Sequence, residues 1–373
     1  MAWRSRFSYI GRRHLSIFAN PSPSNWTKVV SDAEKIVGYP TSFMSFRCLL
    51  SDELSNVAMH VKKLVGTKHP LLNTARGFLY NSRNNLQMRG LIIMLMSKAA
   101  GPCPSNSDLI CDSMVSGIYP RITIFPSVSL SLIHTAFLVH RGIVNLKEWM
   151  NSDGPLKNMQ FGNKMAVLSG DFLLANACTG LAQLNDSKVV ELISSAIGDV
   201  MQGIYHESST SAEESSLTVA SWEDQTFLSH GALLAKSCQA AMKLARHDTE
   251  AQNWAFQYGK HLALGHKLNS DLQLFVKSGS EPAVFSLDSA PVVFHRQIVG
   301  PERWRHQLKQ VQNMARQIDY TKLWGLIKME RGVSQGLDLC SYHSNKALEA
   351  MKCFPPSEAR SALENMAYAL TKF

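Results

Sequence analysis

The chain has 373 residues, 45% of them hydrophobic, enough for a sizeable core in one large domain or two ordinary ones. Its formal net charge of +9 is concentrated at the start: residues 1–31 hold Arg4, Arg6, Arg12, Arg13 and Lys28 and no acid, and about +4 remains without them. The other Lys and Arg are scattered, with no basic stripe interleaved with aromatics, which argues against nucleic-acid binding. No apolar run approaches membrane-spanning length; the longest candidate is Leu91 to Met96, so no transmembrane segment is expected.

In chain order, Trp3, Phe7, Tyr9, Ile10, Leu15, Ile17 and Phe18 lie among the first basic residues. An Arg- and Ser-bearing, acid-free start of this kind is what a mitochondrial import peptide looks like. The expectation is a targeting segment over residues 1–25, with a disordered basic tail as the alternative, and a single all-α domain over residues 26–373. After Pro40 the chain reads as helices. Leu130, Ile133, Phe137 and Val144 predict one stripe. Met165, Leu168, Phe172 and Ala175, following Gly162, predict a second. Phe227, Leu234, Ser237 and Ala241 predict a third, with Gly231, Ala232 and Ala235 small enough to let neighbours come close. These spacings fit amphipathic or buried helices, and period-two alternation is nowhere sustained. Breaks are expected at Gly101-Pro102-Cys103-Pro104, at Tyr119-Pro120, from Asn151 to Pro155, from Glu207 to Ser216 and from Lys277 to Pro291.

Several chemistries find no support. There is no Gly-x-x-x-x-Gly-Lys loop, no Gly-x-Gly-x-x-Gly after a strand, no Gly-x-Ser-x-Gly elbow and no His-Glu-x-x-His. The seven cysteines (Cys48, Cys103, Cys111, Cys178, Cys238, Cys340, Cys353) are odd in number and never spaced Cys-x-x-Cys, so they read as reduced thiols. His134 and His140 are six apart, on different helical faces, and neither reads as a metal ligand. The acidic pairs Asp52-Glu53, Glu213-Glu214 and Glu223-Asp224 read as solvated or as helix N-terminal charges.

Four stretches carry a family resemblance: Ile133 to Asn145, Phe161 to Ala175, Tyr258 to Gly265, and the tail with Lys346-Ala347-Leu348-Glu349, Phe354-Pro355-Pro356-Ser357 and Arg360. In this order, over roughly residues 45–370, the chain resembles the trans-polyprenyl diphosphate synthases. The resemblance implies an isoprenoid synthase-type multi-helix bundle. It also implies condensation of isopentenyl diphosphate with an allylic diphosphate, with Mg²⁺ held by two Asp-Asp-x-x-Asp motifs. The aspartates of the first motif match Arg141, Gly142 and Asn145 here. The second motif falls on Ser270-Asp271-Leu272-Gln273-Leu274 and keeps Asp271 alone. The diphosphate-binding Gly-Lys-Arg-x-Arg-Pro falls on Asn85 to Gly90 and keeps Arg89, and the histidine that helps hold isopentenyl diphosphate matches His134. The family's Arg-Arg-Gly falls on Ser152-Asp153-Gly154 and its Lys-Thr on Ser229-His230. Mg²⁺ needs hard, preferably anionic oxygen ligands. The resemblance therefore implies no catalytic residue and no metal site in this chain, and residual substrate contacts at Arg89, His134 and Asp271.

These departures, the basic start and the segment Glu34 to Ser45 resemble the second, noncatalytic-type subunits of mitochondrial decaprenyl-type synthases. That implies a heterotetramer in the mitochondrial matrix with a catalytic subunit 1 that holds Mg²⁺. Isoprenoid diphosphates would be handled by the complex, and the product would become the side chain of ubiquinone. The alternative is an isoprenoid-binding or regulatory protein outside any catalytic complex.

Overall fold

The computed structural model describes residues 26–37, 67–72, 88–101, 118–150, 153–209, 218–276, 285–312, 318–329 and 331–373. The expected targeting segment 1–25, residues 38–45, Asn85-Leu86-Gln87, Asp52-Glu53 and Glu213-Glu214 lie outside the described residues. The fold is all-α. The helices are α1 (Trp26–Val37), α2 (Met88–Ala100), α3 (Ile118–His140), α4 (Leu156–Ala182), α5 (Ser187–Ser209), α6 (Val219–Thr226), α7 (Ala232–Leu244), α8 (Thr249–Val276), α9 (Ala290–Val299), α10 (Pro301–Val311), α11 (Tyr320–Met329), α12 (Gly332–Met351) and α13 (Glu358–Ala369). Among the described residues the sole β feature is an isolated bridge between Gln312 and Ile318.

The chain gathers into two compact units. Among the described residues, one takes those up to Glu191 with Ala240–Asp248 and Pro355–Leu363; the other takes those within Leu192–Gln239, Thr249–Phe354 and Glu364–Phe373.

The first unit is built around α2. Leu91, Ile92, Ile93, Leu95, Met96 and Ala99 are all 0% exposed, and a helix that is apolar all round belongs at the centre of a core. Lys98 in its last turn donates to the carbonyls of Ile36 (2.9 Å) and Val37 (3.2 Å), which α1 cannot satisfy itself. α3 packs on both α2 and α4 and buries Leu130, Leu132, Ile133, Ala136, Phe137 and Val139. Tyr119-Pro120, expected as a break, instead lies in the first turn of α3, where the fixed φ and missing N–H of proline are tolerated. Val144, expected on the α3 stripe, lies past the end of that helix.

α4 turns the expected stripe outward. Its buried face is small and mixed: Met159, Gly162, Ala166, Ser169, Gly170, Leu173, Ala177 and Leu181. Leu168 is 52% and Val167 41% exposed, and Ala175 is also exposed. By length and composition α4 is apolar enough to cross a membrane, yet only 33% of its apolar window is buried. Scattered surface apolar residues are ordinary, whereas a run along one helix marks an interaction surface.

In the second unit α8 packs along α12. Cys340 Sγ donates to the carbonyls of Gly265 and Leu370, Ser344 Oγ to Ala367 O (2.8 Å), and Asn269 Nδ2 to Leu370 O (2.7 Å), which ties the chain's last turns to both helices. Burial pushes the Cys238 and Cys340 thiols up to about 12, consistent with inert reduced cysteines. Phe275, Phe285, Trp304, Leu323 and Ile327 form an apolar cluster with neighbours from α9 to α11. Between α6 and α7 the chain makes one π turn, Phe227–Gly231, and α5 presses on it. A Cβ on Gly203 would sit 2.5 Å from Ser229 N and 2.8 Å from its Cα. Backbone cannot give way there, so Gly203→Ala is expected to destabilise the chain by about 1–3 kcal/mol. Gly198, on the same helix, faces open space within 4 Å. Gly198→Ala is expected to stabilise by about 0.5–1 kcal/mol; calorimetric unfolding of the two variants checks both signs.

Candidate functional site

α3 ends at His140, and the next residues form a turn in place of further helix. The N–H groups of Arg141, Gly142 and Ile143 bond the carbonyls of Phe137 (2.9 Å), Val139 (3.0 Å) and His140 (3.2 Å). Gly142 is buried in this turn. A Cβ there would lie 3.1 Å from Val139 O, a tight contact, and at ordinary contact distance from Leu71 N (3.6 Å) and Pro70 Cβ (3.7 Å). Asn145 Oδ1 accepts the Lys147 N–H (3.1 Å) and caps the short 3₁₀ turn Leu146–Glu148.

Asn163 on α4 fixes the whole segment. Its Oδ1 accepts the Val144 N–H and its Nδ2 donates to the Val144 carbonyl, both at 2.8 Å. His69 Nδ1 accepts the Leu71 N–H (3.2 Å), which leaves Nε2 to donate to Asn163 Oδ1 at 3.1 Å. That tautomer follows from the bonding pattern. Burial holds His69 below its usual pKa, against the Asn163 bond, so the ring is a neutral strut.

These residues do not fit a Mg²⁺ cluster. Position 141 is a cation, position 142 offers no side-chain oxygen, and the oxygen at 145 is spent on a cap. Asp153 accepts the Met150 N–H (3.2 Å) and faces Lys68 (3.4 Å). His140 Nε2 lies 3.2 Å from Asp171 Oδ1 and 3.3 Å from Val167 O.

Arg89 and His134 are brought into one neighbourhood by the packing of α2 on α3. Burial, then the charges of Arg89 and Arg141, push His134 well below its usual pKa. Burial, then Arg141, brings the Arg89 guanidinium down to about 10. Reading the sequence alone missed the part Arg141 plays here, because the match recorded it only as a lost ligand.

Asp271 belongs to the other unit. Its Oδ1 accepts from Lys267 at 2.5 Å and its Oδ2 accepts the Ala290 N–H at 3.1 Å. The carboxylate thus bridges one helical turn of α8 and the N-terminus of α9, where negative charge is favoured. Ser229 and His230 lie in the π turn; Ser229 Oγ donates to Gln225 O (2.9 Å) and receives the His230 Nδ1 proton (2.7 Å).

The second unit also holds a titratable chain that was not foreseen. Glu223, expected to be solvated or a helix N-terminal charge, has Oε1 3.1 Å from Nε2 of the buried His343. His343 Nδ1 in turn lies 2.8 Å from His261 Nδ1. His343 beside it holds the Glu223 carboxyl below its usual range. Burial, helped by His343 and Lys260, brings His261 down to about 4. The three come from α6, α8 and α12, so no local pattern in the sequence links them.

Comparison with known proteins follows this geometry. The profile of the polyprenyl synthetase family matches residues 79–280. The chain is 60% identical over 359 residues to the human all trans-polyprenyl-diphosphate synthase PDSS2, covering 95% of this chain and 90% of the human one. It is 29% identical to the Neurospora crassa protein named "Probable hexaprenyl pyrophosphate synthase, mitochondrial", covering 87% and 80%. The crystal structure of a decaprenyl diphosphate synthase from Rhodobacter capsulatus superposes with a TM-score of 0.62 at 17% identity, covering 88% and 98%, and so shares the fold.

Two predictions follow from the site itself. Gly142→Asp crowds Val139 O, so it is expected to cost about 1 kcal/mol and to give no Mg²⁺-dependent rise in melting temperature; thermal shift with and without Mg²⁺ reads both. For His261, the folded value of about 4 lies below the usual 6.5, so the unfolded chain binds more protons between them. Stability is expected to fall as pH drops through that window, by about 1–2 kcal/mol after allowing for solvent screening, with the depressed Glu223 adding to the loss at still lower pH. Urea midpoints at pH 7 and pH 5 measure this, and His261→Gln is expected to flatten the difference. On the family profile and the long, closely similar relatives, the chain belongs to the polyprenyl synthetase family.

Proposed function

We propose that this chain is the degenerate subunit of a heteromeric trans-polyprenyl diphosphate synthase. In this reading the complex condenses isopentenyl diphosphate with an allylic diphosphate, and its product becomes the isoprenoid side chain of ubiquinone. The single observation that carries the proposal is the Arg141–Asn145 turn, whose residues serve backbone packing and capping at the positions where the family's ligands stand. Losing one preorganised electrostatic group costs on the order of a hundredfold or more in rate. Replacing several, one of them by a cation, leaves this chain dependent on a partner's active centre.

The partner is a catalytic polyprenyl diphosphate synthase subunit with intact aspartate motifs, and Mg²⁺ is expected there. The outward stripe of α4, with Val167, Leu168 and Ala175, supports an assembly role: covering it removes apolar surface from water. A heterotetramer follows if this chain replaces protomers of a symmetric assembly. Mitochondrial location is supported by the acid-free basic start and by the Neurospora crassa relative's name.

Co-expression with the catalytic subunit tests the proposal. Long-chain product is expected from the pair and at most a small fraction from the partner alone; equal product from the partner alone overturns the reading. Leu168→Glu places a charge on the exposed stripe. It is expected to leave the melting temperature of the isolated chain nearly unchanged while reducing co-purification and product at least tenfold.

A further inference from the structure

The stretch from Arg296 to Arg331 holds eight Lys or Arg against three Asp or Glu, a net charge of +5. Residues 32–373 together carry only about +4, so this stretch accounts for all of their net positive charge. The fold gathers it on one part of the second unit, where α9, α10 and α11 pack on one another. α10 turns Trp304, Leu308 and Val311 into the apolar cluster. Arg303, Arg305, His306 and Lys309 are left exposed on its outer side, as the helical period dictates. None of these four meets an acid among the described residues. Glu302 is the one acid on α10, and Asp319, just before α11, is held by Lys322 at 3.4 Å. Lys328 lies over the Trp324 ring, 4.4 Å from its centroid, and Arg331 is exposed. The same helices expose two large apolar side chains, Ile298 (40%) and Met329 (88%).

We infer that the surface formed by α9, α10 and α11 docks on an anionic phospholipid bilayer. The inference goes beyond the subunit reading and does not depend on it. Like charges gathered on one surface repel, and a layer of negative headgroups relieves that repulsion along the whole surface at once. Each Lys or Arg near such a layer favours binding about fivefold. Several together hold the chain at low ionic strength, and the attraction fades within a Debye length as salt rises. An acidic polypeptide would also satisfy the charges, but charge alone gives it no use for Ile298 and Met329. A bilayer takes such side chains into its interfacial region. The apolar side of α10 is spent on the protein's own core, so docking is electrostatic, with the two exposed apolar residues as anchors. In the subunit reading, such docking would set a water-insoluble product beside the membrane that takes it up.

Flotation of the full chain with phosphatidylcholine vesicles, with and without a minority of phosphatidylglycerol, tests this. Binding is expected with the anionic vesicles and not with the neutral ones, and it is expected to weaken at least tenfold from low to high salt. Arg305→Glu combined with Lys309→Glu is expected to weaken binding at least tenfold with the melting temperature nearly unchanged, since both side chains are exposed. Glu302→Lys is expected to strengthen binding severalfold, a change of opposite sign on the same helix. Met329→Ser is expected to weaken it most at high salt, where charge contributes least. The basic residues at the start of the chain are present in every form compared, so the differences report α9 to α11. Equal binding to neutral vesicles, no binding to anionic ones, or a double variant that binds like the unaltered chain overturns the site. Tighter binding to polyglutamate than to the vesicles also overturns it and assigns the surface to an acidic protein.

Discussion

The clamp between Asn163 and Val144 is the contact on which the rest turns. Two hydrogen bonds of 2.8 Å from one side-chain amide hold both backbone groups of Val144, and His69 secures the amide from behind. Buried backbone groups satisfied this way are costly to release. The clamp anchors the Arg141–Asn145 turn to α4, with Gly142 packed close to Val139 O. A metal-binding helix end and this turn make incompatible demands on the same residues. The first needs carboxylates projecting into a cavity; the second uses a capping amide and a clamped backbone.

Charge follows from that geometry. The unit that holds the turn carries Arg89, His134 and Arg141 in mutual electrostatic range, while Asp271 in the other unit is engaged by Lys267 and the α9 N-terminus. Asp271 is thus part of a helix junction within its own unit. The helix that supplies Asn163 to the turn also exposes the apolar stripe of the proposed assembly.

Much of this was readable from residues, and the limits have physical reasons. Spacings of three, four and seven identified α3 and α4, and the string from Phe161 to Ala175 carried the family. Periodicity shows that residues share a face, however, and not which face meets the core. α4 buries Gly162, Ala166, Gly170 and Ala177, because small residues let α3 approach, and leaves Leu168 outside. Proline 120 read as a stop, since composition does not distinguish a first turn from an interruption. Lys267 and Asp271 are four apart and their pairing could have been foreseen; the bond from Ala290 could not, because it depends on how α9 is placed against α8. His261 and His343 meet across 82 residues of sequence separation, a contact set by the packing of α8 on α12. Charge reversal at position 141 was plain in the sequence, but its closeness to Arg89 needed the tertiary packing of α2 on α3.

The central claim is that the Arg141–Asn145 turn cannot support metal-assisted departure of diphosphate. The most direct measurement is incorporation of labelled isopentenyl diphosphate into prenyl product by the isolated chain, followed across a range of Mg²⁺ concentrations. No product above the enzyme-free control is expected at any concentration. Product that rises with Mg²⁺ and disappears on chelation would contradict the account.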